Sequence, residues 1–171
     1  MALIKEVRGF SPQLGEDCWL AENATLVGDV ILGSQCTVWF NAVIRGDVNY
    51  IHIGDRTNIQ DNVTIHGTFE KAPTKIGNDV SIGHNAIVHG CTLEDSVLIG
   101  MGAMVMDGAV VKNGAIVAAG AVVLEGTIVE ENTIYAGVPA KKVKQVEGKN
   151  REMLLRIAKN YIKYANWFKD E

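Results

Sequence analysis

Three of the four histidines in this chain lie in one short stretch, at His66, His84 and His89. Neutral imidazole is a good ligand for Zn²⁺, and three such ligands leave the fourth tetrahedral position open for water, as in catalytic zinc sites. Zinc lowers the pKa of that water to about 7 and so provides a hydroxide nucleophile near neutral pH. Imidazole nitrogens also suit Fe²⁺ and Co²⁺, so the residue types leave the choice of metal open. We predict an open metal site that uses these three histidines.

Length, charge and hydropathy limit the other functions of the chain. Its 171 residues suffice for a sizeable core, and we expect a single domain over residues 1–171. The 16 Lys and Arg residues against 20 Asp and Glu residues give a net charge of −4, which argues against a nucleic-acid partner. No apolar run approaches membrane-spanning length, and the N-terminus resembles no targeting signal. We therefore expect a cytoplasmic protein with no membrane partner.

Large apolar side chains recur every six residues along most of the chain, and a small or β-branched residue stands two positions before almost every one. Two inward positions followed by an interval with Gly, Asn or Asp describe a very short strand and a tight turn. This period is typical of a parallel β-helix with three hexapeptides per coil, and it predicts about six triangular coils over about residues 11–139. The nineteen positions are Leu20, Leu26, Leu32, Val38, Ile44, Ile53, Ile59, Ile65, Ile76, Ile82, Val88, Leu93, Ile99, Val105, Val111, Val117, Val123, Val129 and Tyr135.

The interruptions of this register and the segment after it predict two loops and a helix. The spacing widens between Ile44 and Ile53 and again after Ile65, which predicts outward loops on one functional face. Pro139 is expected to end the strand ladder. The apolar spacing over about residues 148–169 predicts an amphipathic helix that packs on the β-helix or on a neighbouring subunit. The three cysteines occupy small inward positions and are expected to be core thiols.

The repeat also predicts where the three histidines point. The fifth, eighth and eleventh inward positions stack on one face, so the residues that directly follow them, Arg45, His66 and His89, form a column. His84 belongs to an adjacent face, one coil above Asp61. Three identical chains around a threefold axis can place the first column of one chain against the second column of the next. The site then takes His66 and His89 from one subunit and His84 from its neighbour.

Three segments carry a family resemblance, namely VIRGDVNYIHIGDRTNIQDNVTIHG, NDVSIGHNAIVHGC and IYAGVPAKKV, the last followed by the predicted helix. Together they resemble the γ-class carbonic anhydrases, in particular the compact γ-carbonic-anhydrase-like bacterial proteins, over nearly the whole chain. The resemblance implies a left-handed β-helix and a homotrimer with three interfacial metal sites. It also implies hydration of CO2 to bicarbonate by a metal-bound hydroxide, with the three histidines divided between subunits as the repeat predicts.

The resemblance implies roles for residues of this chain that stand at the family's positions around the metal. Arg45 and Asp47 would form an intersubunit ion pair, although an exposed pair of this kind contributes little by itself. Asp61 would support the metal ligands from behind.

The resemblance assigns three further residues to the catalytic pocket. Gln60, assisted by Asn58, would hydrogen-bond and orient the hydroxide, and Tyr161 would contribute another hydroxyl. The alternatives are turn chemistry for the NIQD segment and core packing for Tyr161.

Well-characterised γ enzymes use acidic residues to carry away the product proton, and this chain lacks most of those residues. Those enzymes carry a glutamate directly after RGD and an acidic loop, whereas here Val48 follows RGD and the loop GTFEKAPT offers only Glu70. CO2 hydration cannot turn over fast unless the product proton leaves the site. The missing acidic residues therefore bear on the rate of the reaction more than on the formation of the metal site. Two alternatives stay open, a hexapeptide-repeat acyltransferase with one histidine as general base and a catalytically weak metal-binding trimeric scaffold.

Overall fold

The computed structural model describes residues 1–169, which form a parallel β-helix followed by one α-helix, as the hexapeptide period predicts. The strands are, in chain order, β1 (Leu3–Lys5), β2 (Gln13–Leu14), β3 (Trp19–Leu20), β4 (Thr25–Leu32), β5 (Thr37–Val38), β6 (Val43–Ile53), β7 (Asn58–Ile59), β8 (Thr64–His66), β9 (Thr74–Ile76), β10 (Ser81–Ile82), β11 (Ile87–His89), β12 (Thr92–Leu93), β13 (Leu98–Ile99), β14 (Met104–Val105), β15 (Val110–Val111), β16 (Ile116–Val117), β17 (Val122–Val123), β18 (Ile128–Val129), β19 (Thr133–Ala136) and β20 (Lys141–Gln145). The helix α1 spans Lys149–Lys169, close to its predicted range.

The strands stack into three parallel faces, because β4 and β6 each turn a corner and contribute to two of them. The first face contains β1, β4, β6, β8, β11, β14 and β17, and the second contains β2, β4, β6, β9, β12, β15 and β18. The third face contains β3, β5, β7, β10, β13, β16 and β19.

Seven strands on each face make seven coils, one more than the six expected. The extra coil begins before the periodic stretch. Leu14 lies one hexapeptide before Leu20 and pairs with Leu32, and Ile4 pairs with Leu26 across a longer loop. The expectation fell short because the loop between Ile4 and Leu14 breaks the six-residue spacing.

The interior of the solenoid is filled by the two inward positions of each hexapeptide. The large positions, such as Leu26, Ile44 and Ile65, are completely buried, and so are the small ones, such as Ala24 and Ala42. Burial of one large aliphatic side chain contributes about 1.5–3 kcal/mol, so a shift of register by one residue would expose a whole column. The hexapeptide register is therefore held along the length of the chain.

The corners of the coils require left-handed backbone, and their residues suit it. Asn62 and Asn85 have φ values of 61° and 60°, and from Gly102 (φ 65°) the corner residue is more often glycine. Asparagine and glycine tolerate this conformation better than other residues. Because Asp61 and His84 directly precede the two asparagines, the turn chemistry sets where these two side chains leave the coil.

The chain reverses after the last coil. Pro139 was expected to end the strand ladder, and the parallel ladder does end at β19. The sheet continues, however, because Lys141–Gln145 folds back as β20 and pairs with β19 in the antiparallel sense. The free edge of β19 makes this pairing available, and a period-six pattern contains no signal for it.

Helix α1 packs on the third face of its own chain, which is one of the two positions predicted for it. Leu154, Ala158 and Ala165 are buried along one side of the helix. Near its end, the ring of Phe168 packs on that of Trp19 with centroids 5.2 Å apart. No helix in the described part of the chain is long and apolar enough to cross a membrane.

On the second face, truncation of an inward residue should lower the free energy of unfolding much more than truncation of an outward residue. Leu93→Ala removes a side chain that is 1% exposed and should lower the free energy of unfolding by about 2–5 kcal/mol. Ile128→Ala, at a position that is 57% exposed, should change it by less than about 0.5 kcal/mol. Guanidinium denaturation at one fixed protein concentration measures both. Equal losses would contradict the assignment of inward and outward positions.

Candidate metal centre

His66 and His89 lie side by side in successive coils of the first face. They are paired residues of β8 and β11, with Nδ1 of His66 3.2 Å from Nε2 of His89. Two Zn–N bonds of about 2.0–2.1 Å at a tetrahedral angle separate their nitrogens by about 3.3–3.4 Å. The two ring nitrogens therefore have the spacing of two ligands on one ion.

The outer nitrogen of each ring contacts a carboxylate. Nε2 of His66 lies 2.9 Å from Oδ1 of Asp47, and Nδ1 of His89 lies 2.6 Å from Oδ1 of Asp107. Carboxylates in this position fix the tautomer and orientation of metal-binding histidines. If each neutral ring donates its N–H to its aspartate, both facing nitrogens carry lone pairs directed into the same space. A cation between them satisfies both lone pairs, so these residues fit a metal ion.

Asp47 is held between a histidine and an arginine. Its carboxylate accepts a hydrogen bond from Arg45 at 2.5 Å and contacts His66. Burial would raise the pKa of Asp47, but the hydrogen bonds from His66 and Arg45 outweigh it and lower the pKa. A side chain at Gly46 would collide with the carbonyl of Asp29, which explains the glycine in RGD. The resemblance implies an intersubunit Arg45–Asp47 pair, whereas the single chain forms this pair internally.

Asp107 is a site residue that the sequence reasoning missed. Besides His89, it contacts the hydroxyl of Thr68, which donates to Oδ2 at 2.5 Å. Burial would raise the pKa of Asp107, and the bonds from Thr68 and His89 lower it. Thr68 belongs to the loop after His66, which is closed by a bridge between Thr68 and Ala72. Asp107 lies one residue beyond Met106, which is the residue that stacks next to His89 in the following coil, so the count of columns did not select it.

His84 lies at the corner before β11, away from the other two histidines. Its Nδ1 is 2.8 Å from Oδ2 of Asp61, so it too has a carboxylate behind the ring. Its Nε2 is 3.5 Å from the hydroxyl of Tyr161 on α1. Among residues 1–169 of one chain, no three His, Cys, Asp or Glu side chains converge as a group that could hold a metal ion.

Gln60 and Asn58 lie on the same side as His84. Both are buried; Gln60 donates to the side-chain oxygen of Asn58 at 3.0 Å, and Asn58 donates to the Ser81 hydroxyl at 2.7 Å. With His84 and Tyr161, Gln60 lines a cavity of about 400 Å³ between the third face and α1, whose other walls are mainly apolar. Burial, together with the nearby Asp61 carboxylate, raises the pKa of Tyr161 to about 12.

The site residues thus form two separate groups within one chain. We call the first the two-histidine half-site, which consists of Arg45, Asp47, His66, His89 and Asp107. We call the second the one-histidine half-site, which consists of Asn58, Gln60, Asp61, His84 and Tyr161.

Comparison with known proteins identifies the repeat and the family. The family described as bacterial transferase hexapeptide (six repeats) matches residues 11–46 and 90–125, and the hexapeptide repeat of succinyl-transferase matches residues 73–106. A solved structure of a hexapeptide transferase family protein from Anaplasma phagocytophilum superposes with a TM-score of 0.93 at 37% identity, covering 97% of this chain and 98% of that one.

Two relatives of similar sequence carry the name carbonic anhydrase. Gamma carbonic anhydrase 2, mitochondrial, from Arabidopsis thaliana is 40% identical over 160 residues, which cover 91% of this chain but only 58% of the plant protein. The carbonic anhydrase of Geobacillus kaustophilus is 40% identical over 167 residues, which cover 98% of this chain and 91% of that protein. This chain therefore belongs to the γ-class carbonic anhydrase family.

Proposed function

We propose that the chain is a metal-dependent carbonic anhydrase that works as a homotrimer, with each metal ion held by His66 and His89 of one subunit and His84 of the next. The observation that carries this proposal is the 3.2 Å approach of the His66 and His89 ring nitrogens, with an aspartate behind each ring. His84 has the same carboxylate support but lies in the other half-site. One chain thus supplies the ligands of a complete site in two complementary parts.

The outer surface of the first face supports a trimer. Its outward side chains are mostly apolar and half-buried or exposed, and α1 packs mainly on the third face. They include Val27, Val43, Ile87, Met104, Met106, Val122 and Leu124. The second face instead presents charged residues such as Lys75, Glu94, Lys112 and Glu130. A contiguous apolar surface marks an interaction site, and a neighbouring copy that covers it would bring a one-histidine half-site towards His66 and His89.

Each residue around the site has its own role in the hydration of CO2. When bound, the metal ion supplies a positive charge that lowers the pKa of water to about 7. Asn58 holds the amide of Gln60 through their 3.0 Å hydrogen bond, so that Gln60 orients the attacking water with its remaining donor and acceptor. The apolar walls of the cavity beside Gln60 suit CO2, which carries no charge. Tyr161, like an ordinary tyrosine, keeps its proton at neutral pH, and its raised pKa of about 12 extends this to alkaline pH, so it acts as a hydrogen-bond donor.

Metal identity and cellular location belong to the same proposal. Zn²⁺ is the expected metal, and the three imidazoles would also accept Fe²⁺ or Co²⁺. The expected location is the cytoplasm. The product proton has to leave past Val48 and Glu70, where well-characterised γ enzymes are acidic, and this predicts slower turnover than theirs.

The catalytic proposal predicts that CO2 hydration depends on the half-site histidines. His89→Ala should lower kcat/KM of zinc-loaded protein by more than about 100-fold, because loss of a carboxylate behind a ligand already costs about 10–100-fold. His52→Ala is the matched control, since His52 lies on the second face and stacks on Tyr50. Stopped-flow hydration with a pH indicator measures both. Bound zinc without turnover in the unmodified protein would favour the metal-binding scaffold, and acyl transfer from an acyl-CoA would favour the transferase.

The geometry also predicts that Asp107 controls metal affinity. Asp107→Asn keeps the shape of the side chain but removes the charge behind His89, so zinc affinity should fall about 10–100-fold. Glu125→Gln removes another carboxylate near the same loop, where Glu125 pairs with Lys71 at the surface, and should leave the affinity unchanged. Competition with a chromophoric chelator measures both constants. Equal affinities of Asp107→Asn and unmodified protein would contradict the role given to Asp107.

A further inference from the structure

Cys18 and Cys36 form a stacked pair at the N-terminal end of the solenoid. They occupy the same inward position in successive coils of the third face, directly before the paired residues Trp19 and Thr37. The amide of Trp19 donates to the carbonyl of Cys36 at 2.9 Å, and the thiols of Cys18 and Cys36 donate to the carbonyls of Gly33 and Gly54, each at 3.0 Å. Cys91 lies on a different face, before β12. Two of the three cysteines are therefore neighbours in one inward column.

The coil geometry allows these two residues to be bridged. Neighbouring strands are about 4.7–4.9 Å apart, which lies within the about 4.4–6.8 Å observed between the Cα atoms of a disulfide. Both side chains point into the core, so their Cβ atoms do not diverge. In-register Cβ atoms are nevertheless farther apart than the about 3.8 Å mean of disulfides, and the resulting strain makes the bond easier to reduce.

We propose that Cys18 and Cys36 are a redox pair that a peroxide converts into a reversible intrachain disulfide. The Cys18 sulfur attacks the peroxide, so that an S–O bond forms, the O–O bond breaks and one water leaves. The Cys36 sulfur then attacks the Cys18 sulfur, the S–S bond forms, and the S–O bond breaks with release of a second water. The two thiols lose two electrons and two protons, which reduce hydrogen peroxide to two waters.

The environments of the thiols suit these roles. Cys18 is partly exposed in the first coil, whereas Cys36 is completely buried behind it. The neighbouring Cys36 side chain lowers the pKa of Cys18 to about 7, and a thiolate is the form that reacts with peroxide. Burial raises the pKa of Cys91 to about 12, so this third thiol should stay unreactive. Peroxide should therefore reach Cys18 first and find its partner in place.

A disulfide between Cys18 and Cys36 would change the stability of the first two coils. It would close the chain between Cys18 and Cys36 and thereby restrict the unfolded state, which stabilises the N-terminal end of the solenoid. Trp19 follows Cys18 directly, and its ring lies 4.7 Å from that of Trp39. The bond would therefore lie beneath the aromatic side chains on which the end of α1 packs. The inference is independent of the metal site.

Counting the free thiols of unmodified protein and of cysteine variants after oxidation tests whether Cys18 and Cys36 form a disulfide. The purified full-length protein is treated with hydrogen peroxide, alkylated and analysed by mass spectrometry. Before alkylation, the oxidised protein should be lighter than the reduced protein by two hydrogen atoms. After alkylation under denaturing conditions, we expect a label on one of the three cysteines, a link between the Cys18 and Cys36 peptides, and full recovery of the thiols with dithiothreitol. Cys91→Ala should form the same link, whereas Cys18→Ala and Cys36→Ala should form none. Alanine suits these positions, because other coils carry alanine there.

A second measurement does not depend on how the variants fold. Oxidised unmodified protein should unfold at a higher denaturant concentration than the same sample after reduction. Oxidation of Cys18 to sulfinic acid without a link would overturn the proposal, and so would a link between chains. A link that forms equally in Cys18→Ala would overturn it as well.

Discussion

In-register parallel stacking of the coils is the constraint on which the rest of this structure depends. Strands of successive coils are hydrogen-bonded at about 4.7–4.9 Å, so residues one coil apart must form columns. The large inward side chains hold the register because a shift of one residue would expose them. The same constraint places His66 beneath His89 and Cys18 beneath Cys36. The columns thus bring together residues far apart in sequence without any dedicated binding loop.

Stacking also explains why one chain holds only parts of the proposed metal centre. His66 and His89 belong to the first face, whereas His84 leaves the coil at the corner between the third face and the first. Each histidine has a carboxylate behind it, from Asp47, Asp107 or Asp61, which is the support that metal-binding histidines usually have. Three neutral imidazoles retain the full charge of a bound ion, while the supporting carboxylates balance it at a distance. A trimer would join the two half-sites across the apolar first face.

The features that follow from the repeat were predictable, and those that depend on its interruptions were not. The six-residue period predicted the faces and the column of His66 and His89, and the helical spacing of apolar residues after it predicted the range of α1. The first coil and β20 were missed, since a loop or a chain reversal separates them from the periodic stretch. Asp107 was missed because its contact with Thr68 needs the folded loop. The cysteine pair needed only the count of faces, which the sequence reasoning applied to the histidines alone.

Subunit mixing tests the central claim, that one metal site is shared between two chains, most directly. His84→Ala and His89→Ala proteins are each expected to be inactive, because every site lacks one ligand. When the two are unfolded and refolded together in equal amounts, random trimers should regain about one quarter of the unmodified activity and zinc content. This follows because about half of the chains supply each intact half-site, and the two choices are independent. A mixture that remains as inactive and as poor in zinc as its two parents, although mass spectrometry finds mixed trimers, would contradict the account.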